Sequence, residues 1–287
     1  MTKKSTNHTK PLKIPKTIQL SSKFITFLSL KWGTIFVSRL FTTPIKHKLP
    51  KREIEMNQNS IQQMITVPSI NRKINIYQYG KNNKKALLVH GWSGRGTQLC
   101  KIAKELTNNG YETISFDAPA HGKSPGSTTV MIDFIESILE IDKQFGPFEI
   151  IIGHSLGGMS VMNAIKQGLQ VDKAIIIGSG DIVKDITDDF VTKLGLKLDI
   201  SVALRKQFEK KYHIIMDDYC AYKAAQTSTV PTLVIHDKDD PEVSVKASIH
   251  IHKHLKNGEL MITEQLGHRK ILADQQVIQK IINFIKK

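Results

Sequence analysis

No aspartate or glutamate occurs before Glu53. The first 52 residues hold twelve lysines and arginines, while the remaining 235 carry 29 Lys/Arg against 26 Asp/Glu. The formal charge of +15 is therefore a property of an N-terminal arm. A near-neutral body offers no basic face to a nucleic acid, and no nucleic-acid partner is expected. Cysteine is scarce. Cys100 and Cys220 could form one bridge at most, which excludes a disulfide scaffold and fits a reducing, cytoplasmic compartment. Long apolar runs are missing too. The stretch 19–42 is apolar and reads as helical, but Lys23, Lys31 and Arg39 limit its uncharged runs to residues 24–30 and 32–38. A membrane-spanning helix needs roughly 20 mostly apolar residues. A secretory signal would need an unbroken apolar core and a small-residue cleavage site. Two readings stay open for the arm, residues 1–55. It packs on the body, with 1–18 a solvated basic tail broken by Pro11 and Pro15. Or it makes peripheral membrane contact through its basic and aromatic residues.

From residue 65 the pattern becomes regular. Residues 65–67 and 75–79 read as two short strands around a turn. Short apolar strands follow at 86–90, 111–116, 149–153, 173–177, 232–236 and 259–263. Helices are expected at 97–108, 130–145, 156–167, 244–255 and 276–285. Continuous apolar strands alternating with helices predict an α/β fold with a mostly parallel, doubly wound sheet, here over residues 56–287. Hydrophobic residues make up 40% of the chain, enough for a sizeable core. Residues 181–229 break the alternation, with helical segments near 190–197 and 202–211. An insertion this long is too large for a plain loop. It is expected to form a helical cap over the C-terminal sheet edge, where open α/β sheets bind ligands.

Two phosphate-binding patterns fail. Residues 118–124 end like a P-loop, but the glycine needed five positions before Gly122 is Asp117. Gly178-Ser179-Gly180 follows a strand, but the third fingerprint glycine is Val183. His250, His252 and His254 lack a neighbouring cysteine or carboxylate in sequence, so a solvated helix face is expected, with no metal. No cofactor motif remains.

Gly153-His154-Ser155-Leu156-Gly157 has the spacing G-x-S-x-G between an apolar strand and a helix. On so tight a corner the serine backbone is strained, and the flanking glycines let the chain pass without clash. Ser155 is the predicted nucleophile. It needs a base, and His268, after the last strand, is the best placed of His90, His121, His154, His236 and itself. An anionic partner for His268 is expected at Asp240, with Asp237, Asp239 and Asp181 as alternatives. An oxyanion needs two donors. The N–H of Leu156 follows the nucleophile, and Gly91 in the turn His90-Gly91-Trp92 lets the Trp92 N–H point inward.

These segments, together with Phe116–Ser124, Pro231–His236 and Gly267-His268, are similar to those of the α/β-hydrolase superfamily and occur in its order over residues 65–286. The resemblance implies the α/β-hydrolase fold, a serine hydrolase of the esterase or lipase type, and a small acyl substrate. Thioesterases, acyltransferases, peptidases and C–C bond hydrolases share the pattern. Dehalogenases and epoxide hydrolases carry aspartate at the elbow, unlike Ser155. One departure is His236-Asp237 where relatives carry His-Gly, which keeps the acid assignment open. The rival expectation is a membrane-surface or partner-binding homologue without catalysis.

Overall fold

The computed structural model describes residues 14–287. Of the tail expected over residues 1–18, positions 1–13 with Pro11 lie outside the described residues. The rest corrects the expectation. Pro15 does not break a helix but precedes α1 (Lys16–Leu28), as a residue with fixed φ readily does at a helix start. Ser29, in an extended conformation, turns the chain into α2 (Leu30–Thr42). A short helix α3 (Ile54–Asn59) then leads into the sheet.

The strands are β1 (Ile61–Val67), β2 (Arg72–Tyr79), β3 (Lys84–Val89), β4 (Tyr111–Asp117), β5 (Ile150–His154), β6 (Lys173–Ile177), β7 (Thr232–Asp237) and β8 (Gly258–Thr263). Their order across the sheet is β1-β2-β4-β3-β5-β6-β7-β8. β1, β2 and β4 pair antiparallel, and all pairs from β4–β3 to β7–β8 are parallel. The helices between and after them are α4 (Cys100–Asn108), α5 (Met131–Phe145), α6 (Leu156–Lys166), α7 (Val183–Lys193), α8 (Leu198–Tyr212), α9 (Ala221–Thr227), α10 (Val245–His254), α11 (Gly267–Lys270) and α12 (Gln275–Lys286).

Side chains alternate across a strand, and the central strands are apolar on both faces. Leu87, Ile151, Ile176 and Val234 join one buried cluster with residues of α5, α6 and α9. Leu88, Ile152, Ile175 and Ile235 join another with α4 and α12. Each such side chain contributes roughly 2 kcal/mol on burial. α12 covers its face with Val277, Ile278, Ile281, Ile282 and Ile285, a spacing that keeps one helical stripe apolar. Asp274 caps its start by accepting from the Val277 N–H at 3.0 Å.

The insertion differs in detail from the expectation. Its first helix starts at Val183 and ends at Lys193, and the stretch expected helical near 190–197 contains the break instead. Gly195 at φ 71° adopts a conformation that stops a helix. A third helix, α9, was not foreseen. α7 and α8 pack with the arm: Val37, Leu40 and Phe41 meet Val191, Leu194, Ile200, Leu204 and Phe208. The Gln19 side chain donates to the Lys193 carbonyl at 3.3 Å. Among the described residues no helix is long and apolar enough to cross a membrane.

Sheet order fixes where ligands meet the fold. The chain leaves β3 towards β4 on one side, and β5 returns on the other. The loops after β3 and β5 therefore lie side by side at the switch point.

Candidate active site

Ser155 ends the β5-to-α6 corner with φ 55° and ψ −120°, a region costly for any residue with a Cβ. The cost is met by packing and hydrogen bonds around it. The Ser155 N–H donates to the Ile177 carbonyl at 2.9 Å, and its own carbonyl accepts from Gly158 at 2.9 Å. Gly153 and Gly157 are needed for close approach. A Cβ on Gly157 would lie 2.5 Å from the Val89 carbonyl oxygen, and one on Gly153 would lie 2.5 Å from the Gly157 carbonyl oxygen. Leu156 is the first residue of α6, so its N–H points out of the helix start with the positive end of the dipole.

The turn after β3 runs past this corner. A Cβ on Gly91 would lie 2.9 Å from the Ser155 Cβ. Within the turn, Gly91 N–H donates to Gln98 Oε1 at 2.8 Å and Ser93 N–H to His121 Nε2 at 3.0 Å. Gly94 N–H donates to the Gly91 carbonyl at 3.0 Å. Among the described residues neither the Trp92 N–H nor the Leu156 N–H has a partner. Two donors flanking the serine are thus unspent, the arrangement that receives a developing oxyanion.

Two buried histidines hold this turn. His90 Nδ1 faces the Gly91 carbonyl at 2.7 Å, and its Nε2 accepts from Ala118 N–H at 3.0 Å. His121 Nδ1 faces the Pro119 carbonyl at 3.1 Å while Nε2 accepts from Ser93. Each ring must be neutral, with the proton on Nδ1. Burial lowers His90 to about 4 and His121 to about 2. Asp117 at the end of β4 ties the same loops together. It accepts from Gly96 N–H and Lys123 N–H, each at 2.7 Å, and from the Tyr77 hydroxyl at 2.9 Å. Its part was missed in the sequence, although an acid at a strand's C-terminal end was in view.

The expected base and the acid expected for it are brought together. His268, in α11, places Nδ1 2.6 Å from Asp240 Oδ2. Both side chains are almost fully buried. Burial pushes Asp240 upward, but hydrogen bonds from His236 and His268 outweigh it and hold the carboxyl well below its usual range. Asp240 Oδ1 also accepts from Glu242 N–H at 2.8 Å and Val243 N–H at 3.0 Å. Glu242 lies with Oε2 4.0 Å from His268 Nε2, held from the other side by Arg269 at 3.2 Å. The elbow and the base are joined through His154, whose Nε2 is 2.9 Å from the His268 carbonyl. Its ring is kept neutral by burial. Gly178 leaves room for the pair, since a Cβ there would come within 3.3 Å of His268 Nδ1.

The alternative acids are spent elsewhere. Asp181 Oδ2 is 2.5 Å from His250 Nδ1, and Asp181 Oδ1 accepts from Tyr222 N–H. His250 stays partly exposed, and the carboxylate partner that its sequence neighbourhood lacks is supplied by Asp181 from the loop after β6. Asp239 accepts from Gln265 N–H, and Asp237 from Thr263 and Leu266. His236, weighed as a rival base, faces Ser248 at 2.6 Å and Asp240 at 3.4 Å. It positions the acid rather than competing with His268. Among the described residues no cluster of His, Cys, Asp and Glu could hold a metal.

The arm reaches the same edge. Ile45 N–H donates to Ser93 Oγ at 2.9 Å, and Lys46 Nζ to the Ser124 carbonyl at 3.3 Å. Arg95 bonds the carbonyls of His47 and Lys48. A cavity of about 30 Å³ remains between residues 44–47 and the loops of Gly94 and His121.

Residues 86–211 match the model of a family described as the alpha/beta hydrolase family. The sn-1-specific diacylglycerol lipase ABHD11 of Danio rerio is 28% identical over 120 residues, 40% of this chain. That match spans only 37% of the relative's length. The proline iminopeptidase of Saccharolobus solfataricus is 24% identical over 274 residues, covering 74% of this chain and 88% of the relative. Among solved structures, an esterase from Pyrococcus furiosus superposes with a TM-score of 0.64 at 18% identity, covering 85% of this chain and 97% of that one. An esterase from Exiguobacterium antarcticum gives 0.63 at 18% identity, with 79% and 100% covered.

Proposed function

We propose that the chain, which has the α/β-hydrolase fold and matches the alpha/beta hydrolase family over residues 86–211, is a serine hydrolase acting on carboxylic esters through Ser155, His268 and Asp240. The observation that carries this reading is the pairing of His268 Nδ1 with Asp240 Oδ2 at 2.6 Å, anchored to the serine corner through His154. His268 Nε2 takes the Ser155 proton as Oγ attacks the carbonyl carbon. The oxyanion is received by the N–H groups of Trp92 and Leu156. The imidazolium then gives its proton to the leaving alcohol, and the acyl group stays on Ser155. Water, deprotonated by His268, attacks the ester in turn, and the acid leaves with Ser155 restored. Asp240 keeps the proton of His268 on Nδ1 and stabilises the imidazolium. The insertion helices α7 and α8, backed by α2, serve as the cap that shapes the acyl site.

A fluorophosphonate probe on the purified protein tests the reading. Labelling is expected in the wild type and absent in Ser155→Ala. Labelling that persists in the variant, or none in folded wild type, overturns it. A panel of oxygen esters, thioesters and aminoacyl amides then separates the ester reading from the other acyl-transfer chemistries that the same groups support. The fastest turnover is expected on oxygen esters.

A further inference from the structure

The α1–α2 hairpin has two faces. One is buried: Val37, Leu40 and Phe41 lie against α7 and α8, and Ser22 and Thr34 return their hydroxyls to Ile18 and Leu30 carbonyls of their own helices. The other face is apolar and open. Leu20, Phe24, Phe27 and Leu28 follow one stripe of α1, exposed at 66, 64, 87 and 65%. Leu30 and Trp32, 51 and 64% exposed, begin α2 just past the Ser29 corner. Residues of this size are normally exposed singly, yet here they gather at one corner.

The same two helices carry cations. Lys16, Lys23 and Lys31 are exposed, Lys23 with its head group passing over Gly195 between α7 and α8, and among the described residues none of them has an acidic partner. No acid occurs anywhere in positions 1–52. A second copy of this chain is a poor occupant, because a two-fold contact would set these lysines against each other. Nucleic acid is a poor one as well, since three of the six side chains are leucines, which stack on no base. An anionic bilayer satisfies both features at once: aromatic and aliphatic side chains enter the headgroup boundary, and lysines stay among the phosphates.

We propose that the α1–α2 corner docks the protein on anionic membrane surfaces. The hairpin lies in the surface plane, Phe27 and Trp32 enter deepest, and residues 42–48 carry the contact to the Ser93 turn. Docking stands on this surface alone and does not depend on turnover at Ser155.

Co-sedimentation with phosphatidylcholine vesicles, with and without about 30 mol% phosphatidylserine, tests it. Wild type and Ser155→Ala are expected to partition equally, at least about tenfold more onto the anionic vesicles. Three surface cations together are worth of the order of a hundredfold, so raising salt from about 0.1 M to about 0.5 M is expected to release the protein. Phe24→Ser/Phe27→Ser/Trp32→Ser, whose native side chains are solvent-facing, is expected to melt as the wild type does and to lose about tenfold or more in partition. Lys23→Glu/Lys31→Glu is expected to lose the preference for anionic lipid. The proposal is overturned by wild type that stays in the supernatant, by equal binding to both vesicle types, or by unchanged binding of the folded triple variant. It is overturned equally if the vesicles are ignored and the triple substitution instead dissolves a dimer in analytical ultracentrifugation or abolishes binding to a single-stranded oligonucleotide.

Discussion

His121 accepts the backbone N–H of Ser93 on Nε2 at 3.0 Å, so a side chain from the loop after β4 sets the turn that follows β3. The residue between Gly91 and Ser93 is Trp92, whose N–H is the proposed oxyanion donor. The histidine therefore acts on the site through one backbone amide.

Replacing that acceptor tests the relationship. His121→Leu removes Nε2 and leaves Ser93 N–H buried without a partner, a cost of about 1–3 kcal/mol. The turn is expected to shift, lowering kcat about ten- to a hundredfold with KM little changed. Ester kinetics beside a thermal melt give both readings, and an unchanged kcat in a folded variant would remove His121 from this role.

The acid assignment separates by substitution. Asp240→Asn leaves His268 without its anionic partner, and kcat is expected to fall about a thousandfold or more. Asp181→Asn touches the His250 pair and is expected to hold kcat within about twofold. Comparable losses in both variants would contradict the geometry.

His90 makes a pH prediction. Burial lowers its folded value to about 4 from the ordinary 6.5, so the unfolded chain binds the proton first. Stability from the neutral ring is complete above about pH 6.5 and is lost as pH falls towards 4. The loss reaches of the order of 3 kcal/mol. His90→Asn has no such group, so the advantage of wild type over the variant is expected to shrink between pH 7 and 4. Urea unfolding at both pH values measures it. A difference independent of pH would mean that the ring is not held neutral as described.

Arg95 clamps the arm. It bonds the carbonyls of His47 and Lys48, and its Nε is 3.8 Å from Glu53. Glu53 is buried and also accepts from Thr97 at 2.8 Å. Arg95→Ala removes the clamp on residues 47 and 48 and leaves Glu53 with the exposed Arg52 at 3.4 Å as its cation, and a loss of about 1–3 kcal/mol is expected. The melting temperature should fall by several degrees, and proteolysis should cut first between residues 43 and 52. Wild-type stability and resistance would show that the clamp carries no weight.

The sequence made some parts of this site readable and hid others. Ser155 was readable because a strained corner admits few residue types around it, and Gly153 and Gly157 stand where backbone atoms approach closest. His268 was readable from chain order. The acid was expected at Asp240, but with rivals, because Asp181, Asp237, Asp239 and Asp240 all follow strand ends. What separates them is where each carboxylate's hydrogen bonds are spent, and those partners lie far off in the chain. His236 and Asp117 were hidden for the same reason. Helix ends in the insertion were misplaced because Gly195, and not the apolar period, sets the break. The arm's hairpin was obscured by its lysines, which interrupt the apolar pattern in sequence although all three are exposed in space.

The cluster joining Val37, Leu40 and Phe41 to Val191, Ile200 and Phe208 has a consequence for biosynthesis. The hairpin leaves the ribosome before the helices that cover its inner face, which follow about 150 residues later. At ordinary elongation rates of about 5–20 residues per second, both apolar sides of the hairpin stay open for roughly 8 to 30 seconds. During that interval the nascent chain depends on chaperones, or on whatever surface its lysines reach first, to keep it from its neighbours.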